Sequence, residues 1–134
     1  MSQDLIELLN QALTMEYSDV FLYPRHSEHF NGQPAISELF KNFSQMELRH
    51  ADTLAMEIHR LGGQPEWDFK LLTGKKQPSE IVSWHLNGER NAISHYDKCI
   101  KAAGDRRLKE ILSGIKAEEA IHQAALEKIR TWIK

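Results

Sequence analysis

Glu47-Leu48-Arg49-His50 and Glu119-Ala120-Ile121-His122 are the only two stretches of this chain in which a glutamate stands three residues before a histidine. In a helix, positions three apart share a face, so each stretch aims a carboxylate and an imidazole in one direction. Each also has the same forerunner. Glu16 is followed after seven residues by Tyr23, and Glu89 after seven by Tyr96. The Glu of the Glu-x-x-His then comes 24 residues after Tyr23 and 23 after Tyr96. The chain thus carries two copies of one ligand-bearing unit. Carboxylates grouped with imidazoles form a donor set that favours iron, manganese or zinc over calcium or magnesium.

Four helices are needed to position these groups. Leu5, Leu9, Leu13, Val20 and Tyr23 give residues 4–30 a helical period, with Ser2 or Asp4 as cap and a kink or break expected at Pro24. Asn31-Gly32-Gln33-Pro34 is turn chemistry. A second helix is predicted over 35–61, with Ile36, Leu39, Phe43, Met46, Leu54 and Ile58 on its apolar side, stopped by Gly62-Gly63. Residues 62–77 form a long connection. Gln77 and Pro78 open a third helix over 78–103, carrying Ile81, Trp84, Ile93, Tyr96 and Ile100. Gly104-Asp105 then breaks the chain and caps a fourth, over 105–133. The expected fold is all-α, a four-helix bundle forming one domain over 1–134.

The turns and the acidic positions agree. In an antiparallel helix pair, residues equidistant from the turn lie at one height. Halfway between Glu16 and Glu47 lies Asn31-Gly32, and halfway between Glu89 and Glu119 lies Gly104. Each Glu is about 15 residues, or 22 Å, from its own turn, so all four carboxylates can meet in mid-bundle. Buried, unpaired carboxylates cost several kcal/mol each and repel one another; two divalent cations cancel four negative charges. The connection of residues 62–77 is long enough to run the length of a helix, which makes the second and third helices parallel.

Bulk composition excludes several classes. With 134 residues, 41% of them apolar, and a net charge of −2, the chain can bury one core and shows no block of basic charge for nucleic acid. No apolar run approaches the ~18 residues of a membrane span. The single Cys99 excludes an internal disulfide and a cysteine-based zinc site, and fits a reducing compartment. The first residues lack a basic region followed by an apolar one, so no secretory signal is expected and the cytoplasm is the expected location.

Leu5-Ile6-Glu7-Leu8-Leu9-Asn10, Ala12-Leu13-Thr14 with Glu16, His50-Ala51-Asp52 and Leu61-Gly62-Gly63 resemble the ferritin-like di-iron superfamily, bacterioferritin most closely and rubrerythrin next. That superfamily carries a Glu on two helices and Glu-x-x-His on two others. The resemblance implies that Glu47 and Glu119 bridge two irons, with Glu16 and His50 completing one and Glu89 and His122 the other. Tyr23 and Tyr96 are implied as hydrogen-bond donors to ligand carboxylates. The implied activity is Fe(II) oxidation by O2 or H2O2, two irons giving one electron each, in iron homeostasis and protection from oxidative stress.

Departures from the family shape further expectations. Leu48 stands where bacterioferritins place a haem-ligating Met, so no haem is expected. Met46 stands where relatives carry an Asp that orients a ligand His, while its counterpart Glu118 keeps a carboxylate; His50 is therefore expected to be the better oriented imidazole. Bacterioferritin cages carry a fifth helix beyond the position of Lys134, so a homodimer is expected rather than a 24-subunit shell. Ala92 replaces the second Glu of a rubrerythrin Glu-x-x-Glu. His85 is expected at the surface, and His26, Glu28 and His29 at an exposed helix end rather than in a secondary iron or zinc site. Trp67, Phe69, Leu71 and Leu72 are expected to pack the connection onto the bundle or to form a subunit contact. The competing functions are iron storage in a larger assembly, rubrerythrin-like peroxide reduction, and a metal-free helical interaction module.

Overall fold

The computed structural model describes residues 2–70 and 77–133. Four long helices account for most of them: α1 (Ser2–Ser27), α2 (Pro34–Arg60), α3 (Pro78–Ala102) and α4 (Arg106–Trp132). A single 3-10 turn, Glu28–Phe30, follows α1. Because α1 begins at Ser2, Asp4 falls within its first turn, where a carboxylate suits the positive end of the helix dipole, rather than ahead of it as a cap. The helix ends follow local chemistry. Pro34 and Pro78 stand in the first turns of α2 and α3. Asp105 caps α4 by accepting a 2.7 Å bond from the Leu108 amide. At the end of α2, Gly62 adopts φ 85°, its amide bonds the His59 carbonyl at 3.0 Å, and the Gly63 amide bonds that of Ile58 at 2.9 Å. Gly63 must also be small, since a Cβ there would come within 2.8 Å of the Ile6 side chain on α1.

Pro24 neither breaks nor ends α1. It has no N–H to offer the Val20 carbonyl four residues back, and the Ser44 hydroxyl on α2 donates to that oxygen at 2.7 Å instead. The Ser27 hydroxyl likewise donates to the Pro24 carbonyl at 2.6 Å. A side chain on the neighbouring helix thus fills the gap that proline leaves, and α1 continues to Ser27. Ser44→Ala should lower stability by roughly 1–2 kcal/mol, read as a shift of the urea midpoint. An unchanged midpoint would show that the carbonyl does not depend on Ser44.

Packing fixes the topology. The His26 ring meets His85 at 2.7 Å towards one end, while His95 reaches the Leu8 carbonyl at 2.8 Å towards the other, so α1 and α3 are antiparallel. Hairpins α1–α2 and α3–α4 then leave α2 and α3 pointing the same way, as the long connection requires. That connection lies along α1: Asn10 holds Gln64 and Glu66, the Lys70 amide donates to Ser18, and Trp67 and Phe69 meet Tyr17 edge-on at 5.2 and 5.9 Å. Both aromatics stay partly exposed, and Leu71 and Leu72 lie outside the described residues.

The core is divided in two. One apolar cluster, with Leu9, Leu54 and Leu112, fills one half of the bundle; another, with Phe30, Phe40 and Leu126, fills the other. The layer between them is polar. On α3 Ile81 and Tyr96 of the expected stripe are fully buried, while Trp84, Ile93 and Ile100 are only partly so, and Val82, Leu86, Ala92 and Cys99 complete the buried face. No helix among the described residues is long and apolar enough to cross a membrane.

Candidate metal centre

Glu16, Glu47, His50, Glu89, Glu119 and His122 meet in that polar layer, each at most 4% exposed. They form two groups whose ligand atoms lie within 4.8 Å of one another: Glu16, Glu47, His50 and Glu119, and Glu47, Glu89, Glu119 and His122. Glu47 and Glu119 belong to both. The His50 Nδ1 is 3.2 Å from Glu16, 3.2 Å from Glu47 and 3.1 Å from Glu119. The His122 Nδ1 is 3.5 Å from Glu89, 3.7 Å from Glu47 and 3.8 Å from Glu119. Both imidazoles therefore turn the same nitrogen inward.

The remaining polar atoms show what the site is built for. Both Glu47 oxygens, Glu89 Oε1, Glu119 Oε1 and His122 Nδ1 are buried without a hydrogen-bond partner. Orphaned buried carboxylate oxygens are costly, and these five atoms belong to four residues of the two ligand groups, where bound cations would satisfy them. The donor set fits two transition-metal ions.

Electrostatics shows the strain of the metal-free cluster. Burial, with the charges of Glu16, Glu119 and Glu89, pushes the Glu47 carboxyl well above the ordinary carboxylate range. Burial and the charges of Glu16 and Glu89 do the same to Glu119. Burial opposes charge on Glu89 too, but its neighbours, first the His122 ring 3.5 Å away and then Glu119 and Tyr23, outweigh it and its carboxyl is lowered. On His50, burial favours the neutral ring, yet contacts with Glu119, Glu16 and Glu118 prevail and raise it to about 11. Without metal, protons on the central carboxyls and on His50 offset the crowded charge.

The surrounding hydrogen bonds are crossed and uneven. Tyr23 of α1 donates to Glu89 of α3 at 2.6 Å, and Tyr96 of α3 donates to Glu16 of α1 at 2.6 Å. Each tyrosine thus orients the carboxylate of the facing helix. The outer nitrogen of His50 meets Glu118 at 2.5 Å, whereas that of His122 meets only the Met46 sulfur at 3.3 Å, a weak acceptor. His50 is the better held imidazole.

Two expectations are corrected. His85 is not at the surface: it is 1% exposed, hydrogen-bonded to His26 and stacked on Tyr23 with ring centres 4.0 Å apart. Burial and the neighbouring His26 hold it well below the usual histidine range. His26 is likewise buried, facing into the bundle while Glu28 and His29 face out, because helical geometry puts 26 and 85 on facing stripes. Among the described residues these histidines join no group of three possible ligands. Sequence reading also missed Asp19. It stands one turn beyond Glu16 on the same face of α1, and burial with the charges of Glu89 and Glu16 raises its carboxyl well above the ordinary range. Its spacing of three from Glu16 was the available signal.

A four-helix bundle with two carboxylate–histidine groups sharing two glutamates is a ferritin-like di-iron carboxylate protein. Comparison narrows the class. The family model described as Rubrerythrin matches residues 7–130, and the chain belongs to that family. It is 30% identical over 137 residues to the bacterioferritin of Desulfovibrio desulfuricans, covering 96% of this chain and 75% of that one. Among solved structures it is similar to Rhodobacter capsulatus bacterioferritin, described with a metal-free dinuclear site and haem iron (TM-score 0.87, 25% identity, 97% of this chain and 85% of that one). D. desulfuricans bacterioferritin, solved with its diiron site in different catalytic states, gives TM-score 0.85 at 26% identity over 97% and 80% of the two chains. A ferritin-like, diiron-carboxylate protein of Bacillus anthracis str. Ames gives 0.88 at 25% identity, covering 96% of each chain. The chain is a bacterioferritin-like diiron protein with a site able to bind metal.

Proposed function

We propose that this chain is a ferroxidase-type oxidoreductase of the cytoplasm that takes up two Fe(II) per chain and oxidises them with O2 or H2O2. The observation that carries this reading is the set of five orphaned donor atoms on residues of the two ligand groups. In it, Glu47 and Glu119 would be shared between two irons, Glu16 and His50 would hold one, and Glu89 and His122 would hold the other; manganese or zinc suits the same donors. Two Fe(II) supply two electrons, which with two protons convert O2 to H2O2, or H2O2 to two waters. Tyr23 and Tyr96 keep Glu89 and Glu16 oriented through their 2.6 Å bonds, and Glu118 holds the His50 ring. Two apolar clusters close the layer towards both ends of the bundle.

Leu48, 44% exposed on the outer face of α2, has no atom that ligates iron, which supports a protein without haem. Leu48 and Met56 lie on that face as exposed apolar side chains, in keeping with a homodimer through α2. The direct test mixes metal-free protein with two Fe(II) per chain in air. Fast near-ultraviolet absorbance growth is expected for the native chain and the rate of free Fe(II) in buffer for Glu119→Ala; equal rates for the two proteins would sink the assignment.

A further inference from the structure

A cleft of about 640 Å³ opens between α1 and α3 beside the connection, and Glu16 and Glu119 line it. Gly88 and Ala92 keep the α3 wall low; a Cβ added at Gly88 would touch nothing within 4 Å. Asp68 and Lys70 contribute from the connection, and Asp19 lines the cleft from α1. Asp19 belongs to neither ligand group, and unlike the six residues of those groups it is only partly buried. Independently of this acidic lining, Glu119 is 1% exposed and has its Oε1 unpartnered. The cleft therefore connects solvent to a carboxylate that lacks a partner, with Asp19 between the two surroundings.

We propose that Asp19 is the receiving carboxylate of a cation route into the centre, taking up a divalent cation from the α1–α3 cleft with Glu16 and Glu119 and passing it to the two ligand groups. The proposal rests on the metal-centre reading above. Its physical basis is charge and place. Asp19, Glu16, Glu119 and Asp68 give the cleft four carboxyl groups against the one ammonium of Lys70, so a divalent cation finds oxygen ligands there as it displaces their protons. Walls of low dielectric focus the field of such groups. Asp19 stands one helical turn from Glu16 on the same face of α1, near enough to hand the cation on, yet outside the groups that hold it finally.

A group that lowers the barrier to passage speeds both directions and leaves the end state alone. Co(II), which does not oxidise in air on this timescale and reports its ligands by visible absorbance, is mixed rapidly with metal-free protein; release is then followed with a chelator. For Asp19→Asn, uptake and release should both slow by at least about tenfold, with two Co(II) still bound per chain and an unchanged final spectrum. Asp19→Glu should restore most of the rate, and added salt should shrink the native advantage. Unchanged rates in Asp19→Asn, or weakened binding with an altered spectrum, would overturn the proposal. Native protein that binds no Co(II) would instead contradict the metal-centre reading, and this one with it.

Discussion

Glu47→Gln should yield a chain that is more stable than the native one when metal-free, and that no longer oxidises Fe(II) at the centre. Glu47 is fully buried, belongs to both ligand groups, and leaves both oxygens without partners. An amide keeps its shape, removes one of four crowded acidic groups, and can donate to its neighbours. Removing the cost of ionising this buried, crowded acid stabilises by about 1–4 kcal/mol, while removal of a shared ligand disables both positions. The pH dependence has a definite sign. Glu47 and Glu119 have folded-state values raised above the ordinary 4.5, so the stability they contribute is fully present below that pH and is lost as pH rises through the raised values. His50, raised from 6.5 to about 11, likewise contributes below 6.5 and loses its contribution through about 11. The Tm advantage of the Gln variant over the native chain should therefore widen from pH 5 to pH 9. A constant difference across that range would show that the carboxyl cluster is not the source of the strain.

Loading the native chain with divalent metal should raise its Tm by roughly 15 °C. Each cation at about a hundred times its dissociation constant contributes about 2.7 kcal/mol, two act together, and a chain of this size converts that into a shift of this order. The physical source is the same strain. Metal replaces the protons on Glu47 and Glu119 and fills the five orphaned positions, so binding should release protons and strengthen as pH rises. Differential scanning calorimetry with and without Co(II) measures the shift, and Glu47→Gln should show little of it. Equal transitions for loaded and stripped native protein would mean that no cation completes this layer.

The helices and their grouping were readable from sequence because both rest on local periodicity: Leu5, Leu9 and Leu13 repeat on one face, Gly62 takes the φ that only glycine adopts cheaply, and Asp105 is placed to cap. The meeting of Glu16, Glu47, Glu89 and Glu119 was legible for a geometric reason, since equal distances from two turns force equal heights. What escaped depends on partners far apart in the chain. The passage of α1 through Pro24 needs Ser44, twenty residues away on another helix. The crossed bonds of Tyr23 to Glu89 and Tyr96 to Glu16 require the register between α1 and α3, which no local pattern specifies. His26 and His85 read as surface residues because burial of a histidine depends on the partner it finds, and here each is the other's partner. Asp19 carried a usable spacing signal, but many acidic residues stand three from another along a helix, and only the cleft distinguishes this one.

Titration of metal-free protein with Fe(II) in air, followed by near-ultraviolet absorbance, tests the central claim most directly. Two ligand groups sharing Glu47 and Glu119 predict rapid, protein-dependent oxidation that breaks at two irons per chain. Oxidation no faster than in buffer, at any ratio of iron to chain, would contradict the account.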